Sequence, residues 1–575
     1  MSNTSSTASG FQLLKKQVKT FVPIFQWLPE YRFSFLGLDL LAGLTLAFFV
    51  MPESLAYAAL AGVPPQYGVY CTLAGGLFFA FFSSSKQVAV GPTSAISLMI
   101  GTTVATMAGG DMARWLEISM LTALFVGLLG IVAFILKLSS VVSFISESIL
   151  LGFKAGAAFY IAASQLPKLF GIEGTTGSFF DKIANVVTHL NETNPTTLIL
   201  GIIAFAVLYI GTKILPGKPV SLVVIIVSIL LITYSSLSSF GIHLTGNIPS
   251  GLPYFGKPSL ELADMNGILG LALACFLMGY IETVSAARSF AQKNDYKIDA
   301  RQELLSMGMA NIASAFAGGY PVAGGLSQST VNDKAGAKTP MALIICTITL
   351  AVLLFFTELL ANLPEVILAV IVFDAILGLI KIKALKRLYY LSRLEFAVAM
   401  VTFGAVLFFG ILNGILLAAI ISIVLIIRQT AHPIVTLLGR VQGTQLYSDI
   451  ERHPDNETFD GLLIVRVQSS FFYFNVENIS NDIWIQINKA PKPVKMVIIN
   501  MSSSPYVDVA GSDMIMQLYL DLNKKGINLR VVEAYSFVRD ILRKRKIENF
   551  MGHISRHVSC DDAVKEFLES NKKTT

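Results

Sequence analysis

The chain has 575 residues, of which 54% are hydrophobic and only 14% charged, and its mean hydropathy is +0.66. A soluble domain carries roughly 25% charged residues, so a soluble globular protein is excluded and a polytopic membrane protein is expected. The net charge of +6 does not indicate a nucleic-acid partner, and none is expected; in a membrane protein the placement of Lys and Arg reports orientation instead.

Residues 1–34 are polar or mixed, with Lys15, Lys16, Lys19 and Arg32 among Phe11, Leu14, Val18, Phe21 and Trp27. They lack an apolar core followed by a small-residue cleavage site, so no signal peptide is expected. They are expected to form a cytosolic arm lying along the membrane surface. The first span is predicted over Leu36–Leu60, and the second over Tyr67–Phe82 after the turn at Val63-Pro64-Pro65. A short segment from Pro92 to about Thr106 follows, interrupted at its start by Val90-Gly91-Pro92-Thr93-Ser94-Ala95-Ile96-Ser97. Longer spans are predicted near Leu116–Leu136 and Val141–Phe170, then a polar loop over 171–195, then Thr197–Ile210 and Val220–Leu237.

A loop over 238–260 divides the membrane part. Beyond it, spans are predicted at Met265–Ala287 and Leu304–Ala317, a second interrupted segment at Gly318–Val331, and four more spans at Met341–Leu360, Val366–Ile380, Glu395–Phe409 and Ile411–Ile427. The count is fourteen elements, seven in 35–237 and seven in 238–430, and the third of each half is short and broken by Gly or Pro. Paired breaks of this kind point to a transporter site at a repeat interface. An odd number of elements per half makes the two repeats inverted.

A break in mid-membrane must face a cavity or be buried in protein, because lipid cannot satisfy its backbone. Pro92 suits a first helical turn. A helix that begins there turns partial positive charge and free N–H groups toward whatever lies before it. The two breaks are therefore expected to form the halves of one anion site.

Loop charge gives the orientation. With a cytosolic N-terminus the inner loops hold Lys86, Lys137, Lys213, Lys218, Arg288, Lys293, Lys297, Arg301, Lys334, Lys338, Lys381, Lys383, Lys386, Arg387 and Arg393. The outer loops hold only Arg114, Lys168, Lys182 and Lys257. The positive-inside rule then places both termini in the cytosol; from compactness and plain cytosolic tails a bacterial-type inner (plasma) membrane is expected.

From about residue 443 the chain reads as soluble. Leu462–Val467, Val494–Ile499 and Ile527–Val532 read as strands. Amphipathic stretches at Val476–Lys489, Val509–Lys524, Tyr535–Lys546 and Asp561–Glu569 read as helices, so 443–575 is expected to be a small cytosolic α/β domain. Cys71, Cys275, Cys346 and Cys560 are too scattered for a disulfide framework and read as buried thiols. No Cys/His cluster has metal-ligand spacing. The Gly-rich run Gly318–Gly325 lacks the ending of a nucleotide loop. No arrangement of catalytic residues reaches motif strength, so neither an enzyme nor a bound cofactor is expected.

Three stretches carry a resemblance: Met51-Pro52-Glu53-Ser54-Leu55-Ala56-Tyr57-Ala58 with Ala61–Pro65 and Gly68–Tyr70, the segment Val90–Ser97, and Gly318-Gly319-Tyr320-Pro321 with Gly324, Ser327, Ser329–Asn332 and Ala335–Thr339. Together they resemble the SulP (sulfate permease) family of anion transporters, and the C-terminal domain resembles the STAS domain that these proteins carry. The resemblance implies a uracil-permease-like fold of seven-plus-seven inverted repeats, a core domain that moves against a gate domain, and a homodimer. It further implies a small anion as substrate, with sulfate leading, carried by proton-coupled symport, with sodium as an alternative to the proton. At Gln328 the family often has a basic residue, and its loss leaves bicarbonate, a dicarboxylate, or exchange and channel activity open. In the STAS domain the related antagonists of anti-sigma factors carry a phosphorylatable Ser after the Asp that matches Asp508; here Val509 takes its place, so that switch is expected to be absent.

The expected substrate-binding residues are Tyr57, Thr93, Ser94 and Ala95 with Gly325, Leu326, Ser327 and Gln328. The polar ones among them are also suited to capping their own helices. Intramembrane carboxylates are functional by default. Glu53 and Glu282 are accordingly the expected ion-coupling residues; the plainer alternatives are a carboxyl that holds a helix break and an interfacial residue. Asp374 and Glu365 are assigned to the gate or the interface. In this scheme the site has no fixed cation.

Overall fold

The structure, a computed structural model, describes residues 21–139, 146–175, 177–215, 219–246, 249–256, 265–552, 554 and 558–572. The arm residues Phe11 to Lys19, the start of the predicted fifth span at Val141, and the loop cations Lys218 and Lys257 lie outside them. The chain divides into two compact units, Met1–Ser422 and Ile423–Thr575.

In the first unit the membrane helices are α1 (Leu36–Leu60), α2 (Gln66–Phe82), α3 (Ser94–Ala108), α4 (Met112–Ile135), α5 (Glu147–Phe170), α6 (Pro195–Ile214) and α7 (Val220–Tyr234). The second half supplies α8 (Met265–Lys293), α9 (Ala300–Phe316), α10 (Leu326–Lys334), α11 (Met341–Leu353), α12 (Glu365–Leu377) and α13 (Arg393–Ala431). Helix α13 is two helices merged across a break at Gly410, whose φ of 81° and ψ of 171° only glycine adopts readily. The described residues thus form fourteen elements, and seven helical segments are long and apolar enough to cross a membrane.

Strand β1 (Ala89–Gly91) precedes α3, and β2 (Ala323–Gly325) precedes α10. The two pair antiparallel, Ala89 opposite Gly325 and Gly91 opposite Ala323. Each helix leaves its strand at the opposite end of a three-residue ribbon, so the two N-termini face each other over a gap on the order of 10 Å. Gly324 permits the crossing, because a Cβ there would lie 2.9 Å from Val88 Cγ1 and 3.0 Å from Thr283 Cα.

Three expectations need correction. Helix α3 starts at Ser94, and Pro92 remains in the extended segment before it. The predicted loop over 171–195 contains a helix, Phe179–Thr188, and a further short helix, Ile382–Leu391, lies between α12 and α13. Both alternate polar and apolar residues, so a hydropathy average sees only a polar connection.

The second unit contains a five-stranded sheet of order β4-β3-β5-β6-β7, namely β3 (Val435–Arg440), β4 (Tyr447–Asp449), β5 (Leu462–Val467), β6 (Met496–Asn500) and β7 (Asn528–Val532). Strands β5, β6 and β7 run parallel, while β3 and β4 pair antiparallel at one edge. Strand β3 lies upstream of residue 443 and β4 is a three-residue edge strand; neither stood out in the sequence. Helices α14 (Val476–Lys489), α15 (Val509–Lys524), α16 (Ser536–Lys544) and α17 (Cys560–Lys572), with a single turn at Glu548–Met551, accompany the sheet.

Candidate anion site

Among the described residues, four helices of the membrane unit begin with a side-chain cap. Asp111 caps α4, Ser146 caps α5, Asn194 caps α6, and Asp299 caps α9. Helices α1, α2, α7, α11 and α12, like α3 and α10, have no side-chain cap; α3 and α10 differ from those in starting at the buried ribbon crossing. Thr93 occupies the cap position of α3 with extended backbone, yet its Oγ1 is buried without a partner. The expected local capping is therefore absent. Both helix starts keep their N–H groups and partial positive charge turned toward the ribbon crossing.

The extended strands before them need partners that lipid cannot supply, and neighbouring side chains provide them. Gly324 N donates to Thr283 Oγ1 at 2.8 Å. Ala89 N donates to Ser329 Oγ at 3.0 Å. Asn311 accepts from Val322 N at 2.9 Å and donates to Val322 O at 3.0 Å. Asn332 Nδ2 donates to Gln87 O at 2.9 Å, and Gln328 Nε2 donates to Pro92 O at 3.3 Å. The crossing is thus a buried polar scaffold. Thr283 and Asn311 belong to it and were not singled out in the sequence; only a polar residue inside an apolar helix hinted at them.

Glu53 follows Pro52 in α1, where the missing N–H frees the Phe48 carbonyl. Its side chain is 5% exposed, Oε1 accepts from Ser327 Oγ at 3.3 Å, and Oε2 has no partner. Tyr57, one turn on, is buried beside Ser94, with Glu53, Glu282 and Tyr320 nearby. Glu282 Oε1 lies 3.6 Å from Lys154 Nζ, a residue of α5, while its Oε2 is buried and unpartnered. Asp374 of α12 is close enough to Glu53 to act on it electrostatically, and Glu365 pairs with Lys168 at 3.4 Å.

The structure therefore gathers Glu53, Tyr57, Ser94, Glu282, Ser327 and Gln328 at one crossing. Ala95 is buried within α3, Gly325 is half-buried, and Leu326 and Ser327 are exposed. The site is not free of fixed cations, since Lys154 reaches Glu282. Lys154 also lines a cavity of about 310 Å³ with Tyr280, Ser285, Arg288 and Lys381. Its 128-residue separation from Glu282 hid the pair from sequence reasoning.

Residues 36–402 match the sulfate permease family, and residues 453–560 match the STAS domain. A probable sulfate transporter of Mycobacterium tuberculosis is 30% identical over 94% of this chain and 96% of its own length. Among solved structures, the murine anion transporter solute carrier 26 family member A9 in its inward-facing state superimposes with a TM-score of 0.87 at 21% identity, covering 97% of this chain and 95% of that one. The transmembrane domain of a cyanobacterium bicarbonate transporter, BicA, gives a TM-score of 0.59 at 21% identity, covering 68% and 98%.

Proposed function

The chain belongs to the sulfate permease family of membrane transporters, and from that premise we propose that it carries sulfate by proton-coupled symport with alternating access. The observation that carries the anion site is the pair of uncapped helix starts, α3 and α10, at the buried ribbon crossing. Their N–H groups, with the hydroxyls of Thr93, Ser94 and Ser327 and the Gln328 amide, form a donor set for a tetrahedral or planar oxyanion.

Charge decides the coupling. Lys154 offsets Glu282, which leaves the Glu53 carboxylate as the group opposed to an arriving anion. Two like unit charges 4 Å apart repel by about 4 kcal/mol at an effective dielectric of 20. A proton on Glu53 removes that repulsion, so proton and anion each raise the other's affinity. Glu53 is the coupling carboxyl in this scheme and Glu282 is the partner of Lys154. Residues 35–237 and 238–430 form the two repeats, and movement of a core domain past a gate domain exposes the site to each side in turn. The transporter works as a homodimer in the plasma membrane, with its N-terminal arm (1–34) and STAS domain (443–575) in the cytosol.

A second reading rests on Gln328. Without a cation there, a monoanion such as bicarbonate fits the donor set with less repulsion, by symport or by exchange. Uptake of labelled sulfate, bicarbonate, succinate and chloride into proteoliposomes tests both. Sulfate uptake that rises with an imposed inward proton gradient supports symport. Uptake indifferent to both proton and sodium gradients removes it in favour of exchange or channel activity.

A further inference from the structure

Two helices of the membrane unit join consecutive membrane elements without crossing: Phe179–Thr188 between α5 and α6, and Ile382–Leu391 between α12 and α13. Each follows the fifth element of its half. With seven elements per half, they fall on opposite faces of the membrane. Both are amphipathic, as helices lying in an interface are, but their charge differs. Phe179–Thr188 carries one Asp181 and one Lys182, and Asp181 is engaged in a capping box with Ser178. Ile382–Leu391 carries Lys383, Lys386 and Arg387, with Lys381 before it and Arg393 after it, and has no acidic residue.

Helical spacing puts Lys383, Lys386 and Arg387 on one face and Ile382, Leu385 and Tyr389 on another. No residue of the helix is buried; Ile382 is 60% exposed, Tyr390 84% and Leu391 72%. Apolar surface this bare, on a helix tied to membrane elements at both ends, has lipid beside it. Among the ion pairs of the described residues, none involves these five cations. Phe179–Thr188 carries one cation, Lys182, and it bonds the Thr175 carbonyl, whereas this helix presents a cluster of exposed cations without ion pairs, and that cluster calls for its own partner.

We propose that Lys383, Lys386 and Arg387 form a docking surface for anionic phospholipid headgroups in the leaflet where this helix lies. Each cation near an anionic surface is worth about fivefold in affinity, so the three together give a strong local preference. The test uses the full chain reconstituted in vesicles of equal phosphatidylcholine and phosphatidylglycerol, re-extracted in mild detergent, with retained lipids measured by mass spectrometry. Wild type is expected to retain phosphatidylglycerol preferentially, and K383Q/K386Q/R387Q to lose at least about tenfold of that preference. K182Q, on the opposite helix, is expected to change nothing. No preference in wild type, equal retention by the triple variant, or an equal loss in K182Q would overturn the proposal; the first two would leave this surface to a protein partner or to water. Should the triple variant not fold, a high-salt wash of wild type decides, because screening must release headgroups held by exposed charge; retention that survives the wash overturns the proposal.

Discussion

Helix α3 of the membrane unit and helix α17 of the STAS unit begin in opposite ways. At α17, Ser559 Oγ donates to Asp562 Oδ2 at 2.7 Å, Ser559 N donates to the same oxygen at 2.9 Å, and Asp562 N donates back to Ser559 Oγ at 3.2 Å. The helix start is closed reciprocally. At α3, Thr93 stands in the cap position and its hydroxyl bonds nothing. The buried carboxyls divide in the same way. Glu303 accepts from Ser83 Oγ, Ser84 N and Ser84 Oγ, and Asp39 accepts from Lys338 N, Thr339 N, Thr339 Oγ1 and Tyr31 OH. Glu53 and Glu282 each keep one buried oxygen bare. Closed groups hold the fold together, while open ones carry a desolvation penalty with no return within the protein; under the proposed function those at the crossing are completed by the anion and its proton.

The sharpest way to break this comparison is to neutralise one carboxyl of each kind. Glu53→Gln is expected to lower gradient-driven uptake at least about a hundredfold, the scale on which a positioned proton carrier acts, while anion binding partly survives and the melting temperature holds. Glu303→Gln is expected to leave serine donors unpaired at a cost of about 2–3 kcal/mol, read as a lower melting temperature and yield. Uptake by Glu53→Gln that still follows the proton gradient would remove its assigned role.

Next in size is an attempt to close α3. Thr93→Asp places a carboxylate where it can bond the free N–H groups of the first turn. Supplying a cap where none bonds contributes about 1 kcal/mol of stability. Here it is expected to fill the anion site from within, with transport falling about tenfold or more in a protein that melts no lower. Undiminished uptake would show that this helix start does not face the anion.

Lys154 gives a smaller effect. Lys154→Gln leaves Glu282 without its counter-charge, and the KM for sulfate is expected to rise about tenfold, the scale of one partly screened charge. Lys154→Arg is expected to restore most of the affinity. A change confined to maximal rate, with KM unmoved, would make the pair a structural tie.

How much of this was legible follows from the distance over which each signal acts. The spans, the two Gly/Pro breaks and the STAS strands β5 to β7 are local patterns of apolar residues, and they could be read directly. Glu53 was legible as a charge inside an apolar run. Lys154 sits in such a run too, but its meaning depends on Glu282, which only the packing of α5 near α8 supplies. Asn311 and Thr283 look like ordinary helix residues until the ribbon's backbone needs donors and acceptors. Helices Phe179–Thr188 and Ile382–Leu391 read as loops in the sequence because their alternating faces cancel in a running average. Pro92 was placed in the first turn by its preference there, whereas the strand pairing of Val90 and Gly91 carries the extended backbone past it.

The closed end of the comparison gives the smallest prediction. Bonds from the Ser559 hydroxyl and then from its N–H hold the Asp562 carboxyl below the usual carboxylate range. A carboxyl with a lowered folded-state pKa adds stability above its unfolded pKa, and that stability is lost as pH falls through the folded value. Ser559→Ala removes the hydroxyl half of the box and is expected to cost α17 about 0.5–1 kcal/mol near neutrality. The difference from wild type is expected to shrink only as the pH falls beneath the unfolded Asp value of about 4 and through the lowered folded-state pKa, where Asp562 is protonated in both proteins. Hydrogen exchange of the α17 amides in the full chain reads this directly. The site at α3 is expected to be indifferent to Ser559→Ala, so unchanged uptake alongside weakened α17 protection separates a cap that only holds a helix from a helix start kept open for an anion.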